Sequence, residues 1–461
     1  MNKHIGNYWS EKHKLILVEF LDTLNSLSIK HFIWRNSEGL PANNFSKDVD
    51  IMLDPLKINT AIKCLKLIYK KNNLTFFAYN KIEKGHICIG IDTNNKFAIH
   101  LDLIAGYSSK GYECFSFEQL YNETIIVKEL RILNPLYNSL LLFISKIFNY
   151  KQPFLKEEYC NEIYKAHLSF PEFKILLKKL LGDKLGKKVS LDIDKKDFIK
   201  ILNYSPSITY ALKINVLKSK PLKSIKSALG FYFEKFNVIV LGFKKNSKVF
   251  AVIGPDGSGK STFIDALINS LKFYYVQGES TVNFSLYHHR PNILPNLGAV
   301  GEKVGYKEQD KDFTNPHRAK PAGKISSIFR MIYYWLDYII GFYLLVGKDV
   351  RRRRFSIFDR YSYDFLVDPA RIRLNLPFWI RNKFVKFMPH PKIVFYLEAS
   401  PEVIFKRKQE LHLDEIYRQN KIFKNLTSSH QRFVVLDSNR PVEHSVNEAT
   451  SLILDSFTIK L

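Results

Sequence analysis

The sequence predicts a multidomain protein that combines α/β and α+β architecture: a mixed sheet at the N-terminus, a helical middle and a parallel sheet at the C-terminus. Three observations carry this. A chain of 461 residues is too long for one ordinary hydrophobic core. Past its midpoint, the apolar, β-branched run from Val249 to Ile253 meets a glycine-rich loop and then a segment of helical period from Ser261 to Leu271. Ahead of that, the first 125 residues alternate helical and strand-like stretches, whereas the next 120 or so carry helical periodicity alone. The expected domains are 1–125, 126–245 and 246–461.

Composition narrows the class. A hydrophobic content of 46% with 14% aromatic residues belongs to a folded chain and excludes a disordered one. The formal charge of +26, from 70 basic and 44 acidic residues, suits anionic partners: nucleotides, phosphorylated glycans, nucleic acid or an anionic membrane surface. A lysine-rich composition produces the same charge with no partner. Cys64, Cys88, Cys114 and Cys160 lack C-x-x-C spacing, which fits free thiols in a reducing cytoplasm and not a disulfide framework or a zinc site. The apolar run Leu15 to Val18 is cut by Glu19 and lacks a small-residue cleavage site, unlike a secretory leader.

In chain order, residues 11–29 place Leu15, Val18, Leu21, Leu24 and Leu27 at helical spacing. A strand over 31–34 runs into Arg35-Asn36-Ser37-Glu38-Gly39-Leu40-Pro41. In Asp48-Val49-Asp50 the two acids are two apart on a strand, so both face one way. A helix over 58–71, a hairpin-like region and a strand over 98–104 with Asp102 at its middle follow. Three carboxylates on adjacent strands can hold two Mg²⁺ ions and align a nucleoside triphosphate, which makes Asp48, Asp50 and Asp102 candidate metal ligands. Helices are expected over 134–148, 157–167, 171–181 and 195–202. The acid-free segment with Lys213, Lys218, Lys220, Lys223 and Lys226 reads as a solvated face.

The loop Gly254-Pro255-Asp256-Gly257-Ser258-Gly259-Lys260-Ser261-Thr262 fits G-x-x-x-x-G-K-[ST]. Its glycines let backbone N–H groups turn inward around phosphate, and the helix start adds favourable partial charge. The spacing assigns Gly254, Asp256, Gly257, Ser258, Gly259, Lys260, Ser261 and Thr262 to nucleotide binding. Lys260, exposed in the loop, reaches the β- and γ-phosphates, and the Ser261 hydroxyl ligates Mg²⁺. A strand over 354–361 ends in Asp359-Arg360-Tyr361. Arg290 follows the adjacent pair His288-His289, which has no spaced third ligand for a metal. Met331 to Val346 is nearly all apolar, broken by Asp337 and Gly341. At about 16 residues it falls short of the ~20 that span a bilayer and reads as a buried helix, with contact to a membrane surface as the alternative. Arg371 and Arg373, after Asp368-Pro369, are set to meet anionic oxygens. A strand over 393–397, a helix over 402–411, a strand over 433–436 and a helix over 442–457 close the chain.

Asp256 within the loop, Asp359-Arg360-Tyr361, and Tyr396-Leu397-Glu398-Ala399-Ser400-Pro401-Glu402 followed by Arg407 occur in an order that resembles the thymidylate kinase family of P-loop nucleoside monophosphate kinases, over residues of about 247–461. The resemblance implies ATP and Mg²⁺ as cofactors. It implies catalytic roles for Lys260, Asp359, Arg360, Asp256 and Arg407, metal contact by Ser261 and Asp359, and an acceptor contact at Arg290; Arg371 and Arg373, read from their own spacing, join Arg360 and Arg290 at the acceptor, Arg371 with a catalytic role in neutralising phosphate. The family places small polar residues and Ala-Tyr-Gln where this chain has Arg371 and Arg373, a departure that points away from thymidylate to another anionic acceptor. Arg35-Asn36-x-Glu38-Gly39-Leu40-Pro41 before Asp48-Val49-Asp50 is similar to nucleotidyltransferase-like proteins of bacterial surface-polysaccharide clusters, over about 12–125; members usually carry Gly-Ser or Gly-Gly where Arg35-Asn36 stands. The expected function is phosphoryl transfer to an anionic small-molecule or glycan acceptor, in the cytoplasm or peripheral at the inner membrane surface. Two alternatives stay open. One is a nucleotide-regulated binding protein for nucleic acid or membrane, though no recognition-helix or aromatic RNA-binding signature is visible. The other is a nucleotidyltransferase with the P-loop domain as partner.

Overall fold

The computed structural model describes the chain except residues 1–8, 47, 82–84, 109, 149–155, 246–247, 276–283, 296–321, 352–353, 410, 430, 457 and 459–461. The protein is a multidomain α/β chain of two compact units, residues 1–236 with 458–461, and residues 237–457.

In the first unit seven strands form one mixed sheet. They are β1 (His31–Ile33), β2 (Val49–Leu53), β3 (Thr75–Lys81), β4 (Gly85–Asp92), β5 (Phe97–Ala105), β6 (Thr124–Val127) and β7 (Leu130–Leu133), in the order β3-β4-β5-β2-β1-β7-β6. Side chains alternate across a strand, and here the alternation feeds two cores. Ile33, Ile51 and Leu53 pack with Ile16, Leu17 and Phe20 of the helix Glu11–Ser26 and with Ile62 and Leu65 of the helix Ile58–Lys71. Phe32, Trp34 and Met52 face the other way, into a core shared with Leu140, Phe143, Ile163, Phe173 and Val189. The helical segment is therefore the second layer of this unit. The expected boundary at 125/126 cuts through β6, because β6 and β7 extend the same sheet and β1 pairs in parallel with β7 through Ile33 and Ile132. The helices are Pro135–Phe148, Glu157–Ser169, Pro171–Leu181, Asp183–Asp194, Phe198–Asn203, Ser205–Ser219 and, as far as residue 236, Pro221–Lys245.

The second unit is built on a five-stranded parallel sheet: β8 (Val249–Ile253), β9 (Phe284–His288), β10 (Phe355–Asp359), β11 (Ile393–Glu398) and β12 (Phe433–Asp437), in the order β12-β11-β8-β10-β9. β8 is central, and all five of its residues are buried, as a strand covered on both faces requires. The chain leaves β8 towards β9 and β10 on one side and returns to β11 and β12 on the other. The carboxyl end of β8 is thus a topological switch point, where open parallel sheets place ligand crevices.

Candidate active site

The loop that leaves β8 ends on the helix Lys260–Tyr274. Gly257 and Gly259 both stand at φ 89°, left-handed backbone that a side chain would strain. A Cβ on Gly257 would also come within 3.0 Å of the Ile404 carbonyl oxygen, so the helix Pro401–Arg407 packs directly on the loop. Ser261 and Thr262 are exposed at the helix start.

Lys260 is not exposed as the motif suggested. It retains 7% exposure, and its Nζ donates to the carbonyl oxygens of Gly254 at 2.9 Å and Pro255 at 2.8 Å. The Pro255 carbonyl oxygen also accepts from the Ser258 backbone N–H at 3.2 Å, so the loop closes on itself as well as over its own lysine. Burial and the nearby Arg360 push the Lys260 ammonium down to about 7.

Asp256 lies 3.8 Å from Lys260 Nζ and accepts hydrogen bonds from both Arg360 and Arg371. Burial alone would raise its carboxyl, but Arg360, Lys260 and Arg371 hold it well below the usual carboxylate range. Arg360 sits in left-handed backbone at φ 73° at the end of β10. That conformation turns its guanidinium back under the loop, where it also donates to Asp364 at 2.8 Å. Arg371 is braced by Asp368 at 3.3 Å, the side chain that caps the short turn Pro369–Ile372. Two of the four arginines read from sequence as acceptor contacts thus meet on one loop carboxylate.

Asp359 closes β10 in register with Val252 of β8 and His288 of β9. Its Oδ2 meets His288 Nδ1 at 3.0 Å, and its Oδ1 is buried with no hydrogen-bond partner among the described residues. Burial favours the neutral acid, yet the His288 contact and Lys260 keep the carboxyl below its ordinary value. The hydroxyl of Ser362, Asp364 Oδ1, Ser258 Oγ and His289 Nδ1 are likewise buried without partners among the described residues. Buried polar atoms with unused acceptor and donor capacity suit a polar ligand or a hydrated cation. Burial pushes the His289 imidazole down to about 4.

Arg407, exposed at the end of its helix, donates to the Ser438 carbonyl oxygen at 3.1 Å and to Ser438 Oγ at 3.4 Å; Ser438 Oγ in turn donates to Ser258 O at 2.7 Å. Arg407 therefore reaches the loop through Ser438, a residue that no local signal marks. Arg290 has a different place from the expected acceptor contact. It is 4% exposed, its Nη1 pairs with Asp337 at 2.8 Å, and its guanidinium stacks over the Tyr334 ring. Asp337 also accepts from the backbone N–H of Leu294 at 2.6 Å, so the acid that interrupts the apolar run fastens that helix to the end of β9. Arg373, half-buried at φ 59°, accepts at its carbonyl from Ala322 N–H at 3.1 Å.

In the first unit, Asp50 and Asp102 are register partners across β2 and β5, and Asp48 precedes β2. One carboxylate oxygen from each lies within 4.8 Å of the others. Arg35 Nε contacts Asp50 Oδ2 at 2.5 Å, and Ser46 Oγ donates to Asp48 Oδ1 at 3.1 Å. The donor set is that of a hard divalent cation, with Arg35 already offsetting one negative charge. The helical layer contributes here as well. Glu162 accepts from Asn138 Nδ2 at 2.8 Å, its carboxyl is pushed up by burial, and it senses both Glu38 and Arg35. Sequence reasoning assigned that layer no site residue.

Compared with known protein families and with curated proteins, the chain matches no family model and no curated protein.

Proposed function

We propose that the second unit is an ATP- and Mg²⁺-dependent phosphotransferase for an anionic acceptor, in the setting of surface-polysaccharide synthesis that the resemblance of the first unit suggests. The observation that carries the reading is the meeting of Lys260, Asp256, Asp359, Arg360 and Arg371 at the carboxyl ends of β8 and β10, around a glycine loop on a helix start. Phosphoryl transfer asks for positioning and charge neutralisation more than for covalent chemistry. The loop N–H groups and Lys260 would hold the β- and γ-phosphates, Lys260 exchanging two carbonyl oxygens for phosphate oxygens. Ser261 and Asp359 would hold Mg²⁺, which neutralises charge on the triphosphate when bound. An acceptor oxygen then bonds to the γ-phosphorus as the bond to the β–γ bridging oxygen breaks. ADP departs, and the acceptor proton goes to solvent. Asp256, kept ionised by its arginines, is a poor proton acceptor and serves to orient the acceptor hydroxyl. Arg360 and Arg371, still paired with Asp256, would offer their remaining N–H groups to anionic oxygens, whose geometry their planar forks match.

Incubation with γ- or α-labelled ATP and a panel of nucleotides, sugar phosphates and lipid-linked sugars tests this reading: γ-label should move to a phosphate-bearing acceptor. Arg371→Lys keeps the charge and loses the fork, so it should raise KM for the acceptor far more than KM for ATP. Equal effects, or efficient turnover of an uncharged acceptor, would remove the anionic-acceptor assignment.

The convergence of Asp48, Asp50 and Asp102 favours a second reading for the first unit, a Mg²⁺-dependent nucleotidyltransferase site. Asp48→Asn, Asp50→Asn and Asp102→Asn should each weaken Mg²⁺ binding by isothermal titration. A flat titration in the unaltered protein sinks this second reading and leaves the first untouched.

A further inference from the structure

The helix Lys324–Gly341 continues through a π-helical turn, Phe342–Val346, and a last turn, Gly347–Arg351. Among the described residues it is the one helix long and apolar enough to cross a membrane by length and composition. One face belongs to the core of its unit: Met331, Tyr334, Asp337, Tyr338 and Phe342 are buried, and Asp337 is fastened to Arg290. The opposite face is unusual. From Ile328 to Leu344 every exposed residue is apolar, with Ile328, Ile332, Leu336, Ile340 and Leu344 recurring at every fourth position. Phe329, on the same face, is 68% exposed. At 1.5 Å per residue the stripe runs for about 24 Å, far longer than the scattered apolar side chains of an ordinary soluble surface. Exposed Lys324 and Lys348 stand at its two ends. The neighbouring helix Phe378–Lys386 meets the same rod through Phe384 and Trp335, and it exposes Phe378, Trp379, Lys383 and Lys386.

We propose that this face docks on the surface of an anionic lipid bilayer, with the helix lying in the interfacial plane. Charge complementarity selects this occupant. A chain of net charge +26, with lysines bounding the apolar stripe, is drawn to negative headgroups, and the stripe then enters the acyl boundary. Trp379, beside Lys383, is the residue type that anchors at the headgroup level. A membrane span is excluded by the core face: leaving the sheet would strand Asp337 and Arg290, both buried, in hydrocarbon. The inference stands apart from the phosphotransferase reading and needs no turnover to test.

The full-length protein is sedimented with vesicles of phosphatidylcholine containing about one-third phosphatidylglycerol at ~0.1 M salt. It should partition into the pellet, and it should do so less at high salt or with phosphatidylcholine alone. Ile328→Ser, Phe329→Ser and Leu344→Ser together replace the apolar side chains of the face that are 43%, 68% and 56% exposed. They should leave circular dichroism and Tm unchanged and reduce partitioning about tenfold or more. Lys324→Glu with Lys348→Glu, which spares the apolar stripe, should also weaken binding to the anionic vesicles. Unaltered protein that stays in the supernatant, or a triple variant that pellets like it, overturns the proposal. So does self-association that the triple variant abolishes in the ultracentrifuge without any vesicle binding, which would assign the face to a second copy of the chain.

Discussion

Lys260 is at once the most legible residue of the sequence and the one whose surroundings the motif misdescribes. Loop spacing places it on the helix start, yet tertiary burial turns it inward onto the Gly254 and Pro255 carbonyls. Lys260→Ala should therefore lower ATP-dependent phosphoryl transfer by about 3 kcal/mol of barrier or more. It should not lower the unfolding midpoint, because burial already opposes the ammonium charge. Full turnover in that variant sinks the kinase reading. His289 gives the converse case, a residue with no motif and a strong environment. Burial depresses its pKa from the ordinary 6.5 to about 4, so the unfolded chain binds the proton more readily between those values. Stability is complete above pH 6.5 and falls as pH drops towards 4. Between pH 7.5 and 5 this one group should cost about 2 kcal/mol. His289→Asn, which suits the left-handed φ of 64°, should flatten that part of the urea-midpoint profile, and an unchanged slope would refute the assignment. Asp256, Asp359 and Arg360 were readable because short spacings fix them to strand ends. Asp337 and Ser438 were not, since their roles exist only when distant segments meet.

The elements divide the same way. The strand, loop and helix around Lys260, the helix Ile58–Lys71 and strands β2, β5, β10 and β11 carry clean periods with turn residues at their ends, and the structure has them within a few residues. The hairpin β6–β7 went unread for a physical reason. Its two-residue turn is Lys128-Glu129, both at positive φ, 47° and 66°. A tight hairpin of that hand favours Asn-Gly, and the usual signal is missing. Helices Ser205–Ser219 and Pro221–Lys245 were hidden by long apolar and basic runs in which Glu234 is the one acid, a composition that blurs the amphipathic period. The turn yields a prediction at this scale. Each non-glycine residue in left-handed backbone costs about 1 kcal/mol, so Glu129→Gly should raise the stability of the first unit by a comparable amount in urea titration. A lower midpoint would mean that Glu129 holds a contact worth more than the strain.

Each unit has its own sheet and its own buried clusters. Unfolding is expected in two steps, the exchange at Glu129 moving one and the exchange at His289 moving the other. A single shared transition that both variants shift would show that the units melt as one. The strand order carries a consequence for how the molecule is made. Ser438, which secures the glycine loop at Ser258, follows it by 180 positions, and Arg360 follows its partner Asp256 by 104. A nascent chain that has just released the glycine loop from the ribosome holds a motif without a cradle. Contacts of such long separation form late and slowly, so the first three hundred and fifty or so residues emerge before either partner of the loop has been made. The loop would reach its final bracing only as synthesis ends, when Ser438 has been added.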